Sequence, residues 1–280
     1  MIVEPAGRDE FLALMQETYG EAMSQAEFDW WFDRNPAGPR ILNAARDDDG
    51  SALGVLAMSF ARMSQGLAAF AVHAVTTPAA RGRGVFSTLE LGNEEEAAAA
   101  GAGWALGFTN PMAGPILVGR LGWEDVASLR LWVRPKRLRK REAGGLRSAR
   151  VEPFEGSRAL PGHHLLRDAD YLTWRYADSP RPYARVGDVV VTHARWHGYS
   201  SAVVCEHGSA SMLRRAIGAV DADIAVAMVN PGEERTFLAS GFVPTPRTIR
   251  FIGKRLTDDA PPLPRRRDAW CLTLGDVDFF

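Results

Sequence analysis

One stretch of the chain, residues 72–97, constrains the fold more than any other, because it changes from strand to helix through a glycine-rich turn. The apolar run ends before Pro78, which cannot donate a hydrogen bond to a β-ladder. Gly82 and Gly84 follow, and each lets the backbone turn tightly while leaving room for a ligand. An alanine-rich helix then begins near Val85. The pattern predicts a strand, a tight turn and a helix whose first amide groups face outward.

The turn is predicted to bind an anion. The first amides of a helix have no partner within the helix, and they lie at the positive end of its dipole. Arg81 and Arg83 flank Gly82 and add positive charge suited to phosphate. The turn lacks the Gly-x-Gly-x-x-Gly pattern of dinucleotide sites and the Gly-Lys-Ser/Thr pattern of P-loops. The sequence therefore predicts phosphate binding without either nucleotide motif.

The same turn resembles the acetyl-CoA signature of the GNAT N-acetyltransferases, which carry Arg/Gln-x-x-Gly-x-Gly/Ala after a strand. Arg81, Gly84 and the preceding Val75 match that signature, whereas Phe86 stands where the final glycine or alanine is usual. The resemblance implies an enzyme that transfers an acetyl group from acetyl-CoA directly to the primary amine of a small molecule or peptide. No metal is expected.

The predicted order of elements agrees with this resemblance over residues 1–135. Helical spacing predicts helices at Asp9–Tyr19 and Phe28–Phe32, followed by three strands, the helix after the turn, and then a strand, a helix and a strand. The resulting order, α-α-β-β-β-α-β-α-β, is that of the GNAT fold. We therefore predict an α/β protein with a mixed sheet.

The second half of the chain repeats landmarks of the first. Trp174-x-Tyr176 lies 144 positions after Trp30-x-Phe32, and Asn230-Pro231 lies 120 positions after Asn110-Pro111. No Arg-x-x-Gly opens the corresponding helix of the second half. We therefore predict two GNAT-like acyltransferase domains in tandem, of which only the first keeps a cofactor site. The predicted segments are a domain with the acetyl-CoA site at 1–138, a linker at 139–160, and a degenerate domain with a C-terminal tail at 161–280.

The resemblance assigns roles to individual residues. The pantetheine arm of CoA is expected between the strand before the glycine turn and the strand after its helix, and a backbone amide there would stabilise the oxyanion. The expected cofactor contacts are His73, Ala74, Val75, Arg81, Gly82, Arg83, Gly84, Val85, Phe86 and Asn110.

Catalysis also needs a base for the amine and an acid for the CoA thiolate. His73 is the candidate base, because it lies on the cofactor strand and imidazole titrates near neutrality. Asp29 and Asp33 are candidates for holding a cationic substrate. Further candidates are the carboxylates of the tail, Asp276, Asp278 and the C-terminus of Phe280. The position of the family's proton-donating tyrosine is Val118, which cannot donate, so water or another residue must serve.

Composition narrows the remaining possibilities. The formal charge of −1 gives no general reason to expect nucleic acid or membrane binding, and two cysteines, Cys205 and Cys271, cannot form a disulfide framework. We expect a cytoplasmic protein. One alternative is a regulatory module that binds acyl-CoA without turnover. Another is transfer of an aminoacyl group from tRNA, for which only the basic run Arg134–Arg141 offers a hint. The sequence leaves the acceptor and the oligomeric state open.

Overall fold

The computed structural model describes residues 1–20, 23–136, 144–146 and 151–277. The chain forms two compact units. Unit 1 contains Met1–Val126 and Phe251–Pro264, and unit 2 contains Ala127–Arg250 and Arg265–Phe280. Both units combine helices with strands of mixed direction, so the predicted fold class is confirmed.

Unit 1 begins with a short strand that the sequence analysis did not predict, and its other elements follow the predicted order. Strands β1 to β4 pair antiparallel in sequence, and β5 then pairs parallel to β4. The elements are β1 Ile2–Pro5, α1 Arg8–Tyr19, α2 Gln25–Phe28 with a π-helical turn Asp29–Asp33, β2 Ile41–Arg46, β3 Ala52–Met63, β4 Gly66–Thr76, a 3-10 turn Pro78–Ala80, α3 Val85–Ala99, β5 Trp104–Thr109, α4 Gly114–Arg120, and the start of β6 Glu124–Pro135.

The core of unit 1 lies between its strands and α3. Val85 and Leu89 on the helix pack with Leu56 and Met58 of β3, and all four side chains are buried. Burying this apolar face is the main source of stability for a helix of this length. Both faces of β3 are covered, because its residues are buried at successive positions from Leu53 to Ala61. The helix that follows the glycine turn is thus fixed firmly against the sheet.

Unit 2 repeats this arrangement. Its strands β8, β9 and β10 pair antiparallel, and β12 pairs parallel to β10. The elements are β7 Gly145–Leu146, α5 Ala169–Leu172 with a π-helical turn Thr173–Ala177, β8 Tyr183–Val186, β9 Val189–Trp196, β10 Tyr199–Glu206, α6 Ala210–Gly218, β11 Val220–Asp221, β12 Ile224–Met228, α7 Glu234–Ala239, β13 Val243–Arg255, and 3-10 turns at Arg267–Ala269 and Leu274–Asp276.

The tandem prediction is confirmed by matching elements at the predicted spacings. The π-helical turn Thr173–Ala177 lies 144 positions after Asp29–Asp33, and β12 begins 120 positions after β5. In both units the short helix before the first long hairpin ends in the same rare π-helical form. The repeat therefore extends from sequence landmarks to local backbone geometry.

The residue ranges of the two units differ from the predicted ones, because each unit includes a strand segment from the other half of the chain. Unit 1 receives Phe251–Pro264 from the second half of the chain, and unit 2 begins at Ala127. In unit 2, residues Leu131–Pro135 of β6 pair antiparallel with β12. The predicted linker was placed by composition, and composition does not reveal which strand a neighbouring strand pairs with. Residues 139–143 and 147–150 of that linker lie outside the described residues.

Glycine is required at position 54 of β3, because β4 and α3 approach this position closely. A Cβ atom at this position would lie 2.4 Å from the carbonyl oxygen of Val75 and 2.9 Å from Cγ1 of Val85. We expect Gly54→Ala to lower the free energy of unfolding by about 1–3 kcal/mol, because the β4 backbone cannot move away cheaply. Urea unfolding measures this change. Gly119→Ala, which meets no atom within 4 Å, is the control and should leave the free energy unchanged or raise it.

Candidate functional site

A gap opens between β4 and β5 of unit 1. The two strands pair at only three positions, from Ala68 opposite Trp104 to Phe70 opposite Leu106. Both strands then continue, β4 to Thr76 and β5 to Thr109, without further pairing. The separation that the sequence analysis expected at these strand ends is therefore present.

A β-bulge marks the start of the gap. Ala57 of β3 pairs with His73, but the next residue, Met58, pairs with Ala71, so Val72 is an extra residue in β4. A bulge bends its strand and increases the local twist. The bend lies just after the last paired position of β4 and β5. It accounts for the separation of the two strands.

The register of β3 and β4 determines which backbone groups face the gap. The amide of Thr77 donates to the carbonyl oxygen of Leu53 at 2.9 Å. Since hydrogen-bonded and non-hydrogen-bonded pairs alternate in an antiparallel ladder, His73 and Val75 point their amides and carbonyls toward β3. Ala74 and Thr76 point theirs away from β3, into the gap. Of the three strand residues predicted to contact the cofactor through the backbone, only Ala74 is turned toward the gap.

The glycine turn presents free amides above the end of β4. Gly82 and Gly84 have φ values of 79° and 81°, which favour glycine, and a Cβ at either position would meet no atom within 4 Å. Gly84 is the N-cap residue of α3 and has no side chain to cap the helix. No described residue accepts a hydrogen bond from the backbone amides of Val85 to Ser87. The arrangement is that of an anion site at a helix N-terminus.

The side chains of the turn divide into charged and anchoring groups. Arg81 and Arg83 are exposed, and Nη2 of Arg83 lies 2.9 Å from Oδ2 of Asp47. Hydrogen bonding to that guanidinium lowers the pKa of Asp47. Val85 is buried in the core, and Phe86 packs against the cluster formed by Ala105, Leu117, Trp123 and Ile252. Phe86 thus anchors the first turn of α3.

His73 lies among the aromatic residues of the first helices. Its ring centroid is 6.2 Å from those of both Phe11 and Phe32. Phe32 belongs to the π-helical turn that also carries Asp29 and Asp33, so the structure brings the candidate base and the candidate substrate carboxylates to the same helical segment. Each carboxylate already has a cationic partner. Asp29 accepts from Arg8 at 3.0 Å, and Asp33 is paired with Arg40.

Two further predicted positions lie before and within α4. The side-chain oxygen of Asn110 accepts hydrogen bonds from the amides of Met112 and Ala113, at 2.9 and 3.0 Å, so this residue caps the turn that leads into the helix. Val118 is partly buried and packs against the same apolar cluster as Phe86. The structure therefore places an apolar side chain where the family's tyrosine is usual.

Sequence reasoning missed Tyr19 and Glu90. The hydroxyl of Tyr19 donates to the carbonyl oxygen of Ala74 at 3.1 Å, a contact between residues 55 positions apart that no local pattern signals. Glu90 is fully buried, and neither carboxylate oxygen has a hydrogen-bond partner among the described residues. Burial, with repulsion from Glu94, raises the pKa of Glu90 to about 8, and the attraction of Lys254 opposes this. An acidic residue on the apolar stripe of α3 was the available signal for Glu90.

Unit 2 has the same gap in its strands. Pairing of β10 with β12 ends at Val203 opposite Val226, and Cys205 is the extra residue of a bulge in β10. Only three residues, 207–209, connect β10 to α6, whereas eight, 77–84, connect β4 to α3. The side chain of Ser209 accepts a hydrogen bond from the amide of Met212 and caps α6. The glycine turn of unit 1 thus has no counterpart.

The C-terminal tail spans the gap of unit 2. At one side, the amide of Leu272 donates to the side-chain oxygen of Asn230, at 2.9 Å, just after the end of β12. At the other side, Gly275 packs against the carbonyl oxygen of Cys205 in the bulge of β10. Arg175 donates to the carbonyl oxygen of Gly275 at 3.0 Å. The tail backbone therefore lies at the gap of unit 2, whereas in unit 1 no described backbone group is hydrogen-bonded to the gap side of Ala74.

A buried ion network holds the tail in place. Arg167 is buried, and its guanidinium pairs with both Glu206 of β10, at 2.9 Å, and Asp276 of the tail. Tyr176 donates to Glu206 at 2.7 Å. The tail thus docks on unit 2 with Asp276 held in place, whereas Asp278 and Phe280 lie outside the described residues. Because Asp276 is bound to Arg167 in unit 2, its carboxylate is already committed to an ion pair.

A bulged strand with a gap beside it recurs in both units, whereas the glycine turn occurs in unit 1. Comparison with known proteins identifies this architecture as the GCN5-related N-acetyltransferase fold. No protein-family model and no curated protein sequence matches the chain. Solved structures do match. A GCN5-related N-acetyltransferase from Kribbella flavida superposes with a TM-score of 0.57 at 16% identity, over 91% of this chain and 72% of that one.

Two other solved structures agree with this assignment. A GCN5-related N-acetyltransferase from Anabaena variabilis ATCC 29413 gives a TM-score of 0.58 at 10% identity, over 91% of this chain and 73% of that one. Eis1 from Mycobacterium abscessus gives 0.56 at 14% identity, over 91% and 74%. At these identities the likeness establishes the fold.

Two features are absent from the described residues. No helix among them is long and apolar enough to cross a membrane. Likewise, no three histidine, cysteine, aspartate or glutamate side chains in the described part of the chain are grouped to hold a metal ion.

The buried Glu90 makes the stability of unit 1 depend on pH. Because the folded-state pKa is raised from 4.5 to about 8, the folded protein retains a proton that the unfolded chain loses, so stability falls as pH rises between these values. We expect Glu90→Gln to remove this dependence, about 1.4 kcal/mol per pH unit. Urea unfolding from pH 5 to 8 measures it. Glu95→Gln, at an exposed position, is the control, and a constant difference between Glu90→Gln and wild type would contradict the assignment.

The tail should be essential to unit 2. Asp276→Asn leaves the buried guanidinium of Arg167 with a single carboxylate partner, and breaking such a pair costs about 3–5 kcal/mol. We expect a drop at the lower end of that range in the free energy of unfolding, seen as a shift of the urea midpoint. Asp268→Asn makes the same change at an exposed tail position and should lower the free energy of unfolding by less than about 0.5 kcal/mol.

Proposed function

We propose that this protein is an acetyltransferase that moves an acetyl group from acetyl-CoA to a primary amine, with the reaction in unit 1. The observation that carries this proposal is the combination of an open gap beside β4 with unpaired helix amides at the end of the same strand. A ligand with a phosphate group and an extended amide-bearing arm satisfies both. Pyrophosphate and pantetheine supply these two parts.

The residues of the turn would hold the phosphates. The amides of Val85 to Ser87 and the charge of Arg81 favour anionic oxygens, and the open space above Gly82 and Gly84 lets those oxygens approach the backbone. Arg83 would exchange its contact with Asp47 for a phosphate contact. Phe86 would stay in the core as an anchor.

The gap would hold the pantetheine arm and the thioester. Ala74 and Thr76 offer amides and carbonyls that β3 does not use, so an extended amide chain can pair with them as an added strand would. The amide of Ala74 would also donate to the thioester oxygen as it becomes an oxyanion, an interaction that contributes about 3–4 kcal/mol in comparable sites. His73, or a water next to it, would take the proton of the amine.

Unit 2 would not bind the cofactor. Its tail spans the corresponding gap, its turn is five residues shorter, and its helix is capped by Ser209. A cofactor would have to displace a segment held by two buried arginines, Arg167 and Arg175. We assign to unit 2 a structural contribution.

A second candidate function is a regulatory module that binds acyl-CoA without turnover. Val118 at the position of the family's tyrosine favours it, because a module without chemistry needs no proton donor. The two functions share the cofactor site of unit 1. They differ only in whether CoA is released.

Calorimetric titration of acetyl-CoA tests the proposed site. We expect micromolar binding by the wild type, and loss of binding in Arg81→Glu/Gly84→Asp, because two carboxylates would replace the anion site and Gly84 has a left-handed φ. Arg215→Glu/Gly218→Asp is the control, since it makes the same changes at the same spacing in an exposed part of α6. Absence of wild-type binding would overturn both candidate functions.

Release of free CoA then separates the enzyme from the binding module. The wild type would be incubated with acetyl-CoA and a panel containing a polyamine, an arylalkylamine, an aminoglycoside, an amino acid and a peptide with a free N-terminus. An amine-dependent rate above that of Arg81→Glu/Gly84→Asp supports the acetyltransferase. Tight binding with the same low rate for every amine would favour the regulatory module.

A further inference from the structure

Tyr19 links the end of the first helix to the gap of unit 1. It is the last residue of α1, which Gly20 closes in the left-handed conformation. Its ring is 55% exposed, yet its hydroxyl donates to the carbonyl oxygen of Ala74 at 3.1 Å. A half-exposed tyrosine in a defined hydrogen bond to a strand is a restrained side chain.

The direction of the Ala74 carbonyl places the hydroxyl at the gap. The ladder between β3 and β4 turns the amide and the carbonyl of Ala74 to the same side, away from β3. Tyr19 therefore binds a backbone group that faces the space where the proposed thioester lies. The amide of the same residue is the proposed oxyanion donor. Ala74 therefore holds the Tyr19 hydroxyl with its carbonyl oxygen and would hold the thioester oxygen with its amide. The hydroxyl and the thioester carbonyl would then be neighbours.

Four other residues of unit 1 are less suited to donate a proton in the gap, because they are apolar, already hydrogen-bonded or buried. Val118 is apolar and Phe86 is packed in the core. Asn110 uses its side-chain oxygen to cap the turn before α4. Glu90 is buried without a partner, on the stripe of α3 that packs inward. Tyr19 carries an O–H group at the open edge of the gap.

We propose that Tyr19 is the catalytic residue that protonates the departing CoA thiolate, an inference that rests on the acetyltransferase function proposed above. The amine nitrogen bonds to the thioester carbon, and the carbonyl electron pair moves to oxygen. When the C=O bond reforms, the C–S bond breaks and its electron pair goes to sulfur. The Tyr19 proton then moves to sulfur. Water reprotonates the tyrosinate, which balances the proton that the amine gave up to His73 or water.

The test compares Tyr19→Phe with wild type in three measurements. Tyr199→Phe, which makes the same chemical change on β10 of unit 2, is the matched control. The rate is followed as CoA release from acetyl-CoA, both with the most reactive amine of the panel and as basal hydrolysis, which breaks the same C–S bond without an identified acceptor. Calorimetry gives the Kd for acetyl-CoA, and thermal unfolding reports the fold.

We expect Tyr19→Phe to lower kcat ten- to hundredfold, at the low end for a general acid because a thiolate is a good leaving group. The Kd for acetyl-CoA should stay within twofold, and the unfolding temperature should match that of Tyr199→Phe. A kcat within twofold of the control would overturn the proposal. So would a rise in Kd that accounts for the whole loss in kcat/KM, since Tyr19 would then act in binding. Wild-type protein that neither binds acetyl-CoA nor releases CoA would instead refute the underlying acetyltransferase function.

Discussion

The rest of unit 1 depends on the bulge at Val72, because the bulge opens a gap in the sheet and leaves backbone groups without partners. A strand that leaves its neighbour exposes amides and carbonyls that would otherwise be paired, and unpaired backbone groups away from water destabilise the fold. The gap must therefore be wet, filled by a ligand or filled by protein. In unit 1 a tyrosine satisfies one carbonyl, and the space beside it is left for the proposed cofactor. The glycine turn leaves further backbone groups without partners at the end of the same strand, namely the first amides of the helix.

In unit 2 the unpaired backbone groups of the equivalent gap are covered by protein. Its bulge at Cys205 opens an equivalent gap, but the chain's own tail crosses it and supplies backbone and side-chain partners. Two arginines buried among carboxylates and tyrosines then hold the tail, a network that is strong only while every member is present. A short capped helix entrance replaces the phosphate turn. The same gap is thus left unfilled by the chain's own backbone in unit 1 and is filled by the tail in unit 2.

Local sequence patterns predicted several features of the fold correctly. The glycine turn, the bounds of β5 and the repeat at spacings of 144 and 120 were all readable, because each depends on residues close together in the chain. The contact of Tyr19 with Ala74 was not readable, since it joins residues that only packing brings together. The burial of Glu90 had only a weak signal, its position on the apolar stripe of α3, and an acidic residue at a helical position is most often solvated. The direction of the backbone groups of His73 and Val75, toward β3, was also not readable, because it depends on the register of β4 beyond its bulge.

The sequence by itself determined most elements of unit 1 and their order, the repeat of landmarks in the second half, and the turn that distinguishes the first unit from the second, because these depend on backbone preference and apolar spacing. Only the tertiary structure decided which half of the chain supplies each last strand, which backbone groups face the gap, and that the tail lies across the second gap. Strand pairing is set by the hydrogen bonds and surfaces of both partners. A strand's own residues specify its two faces but not the identity of its neighbour.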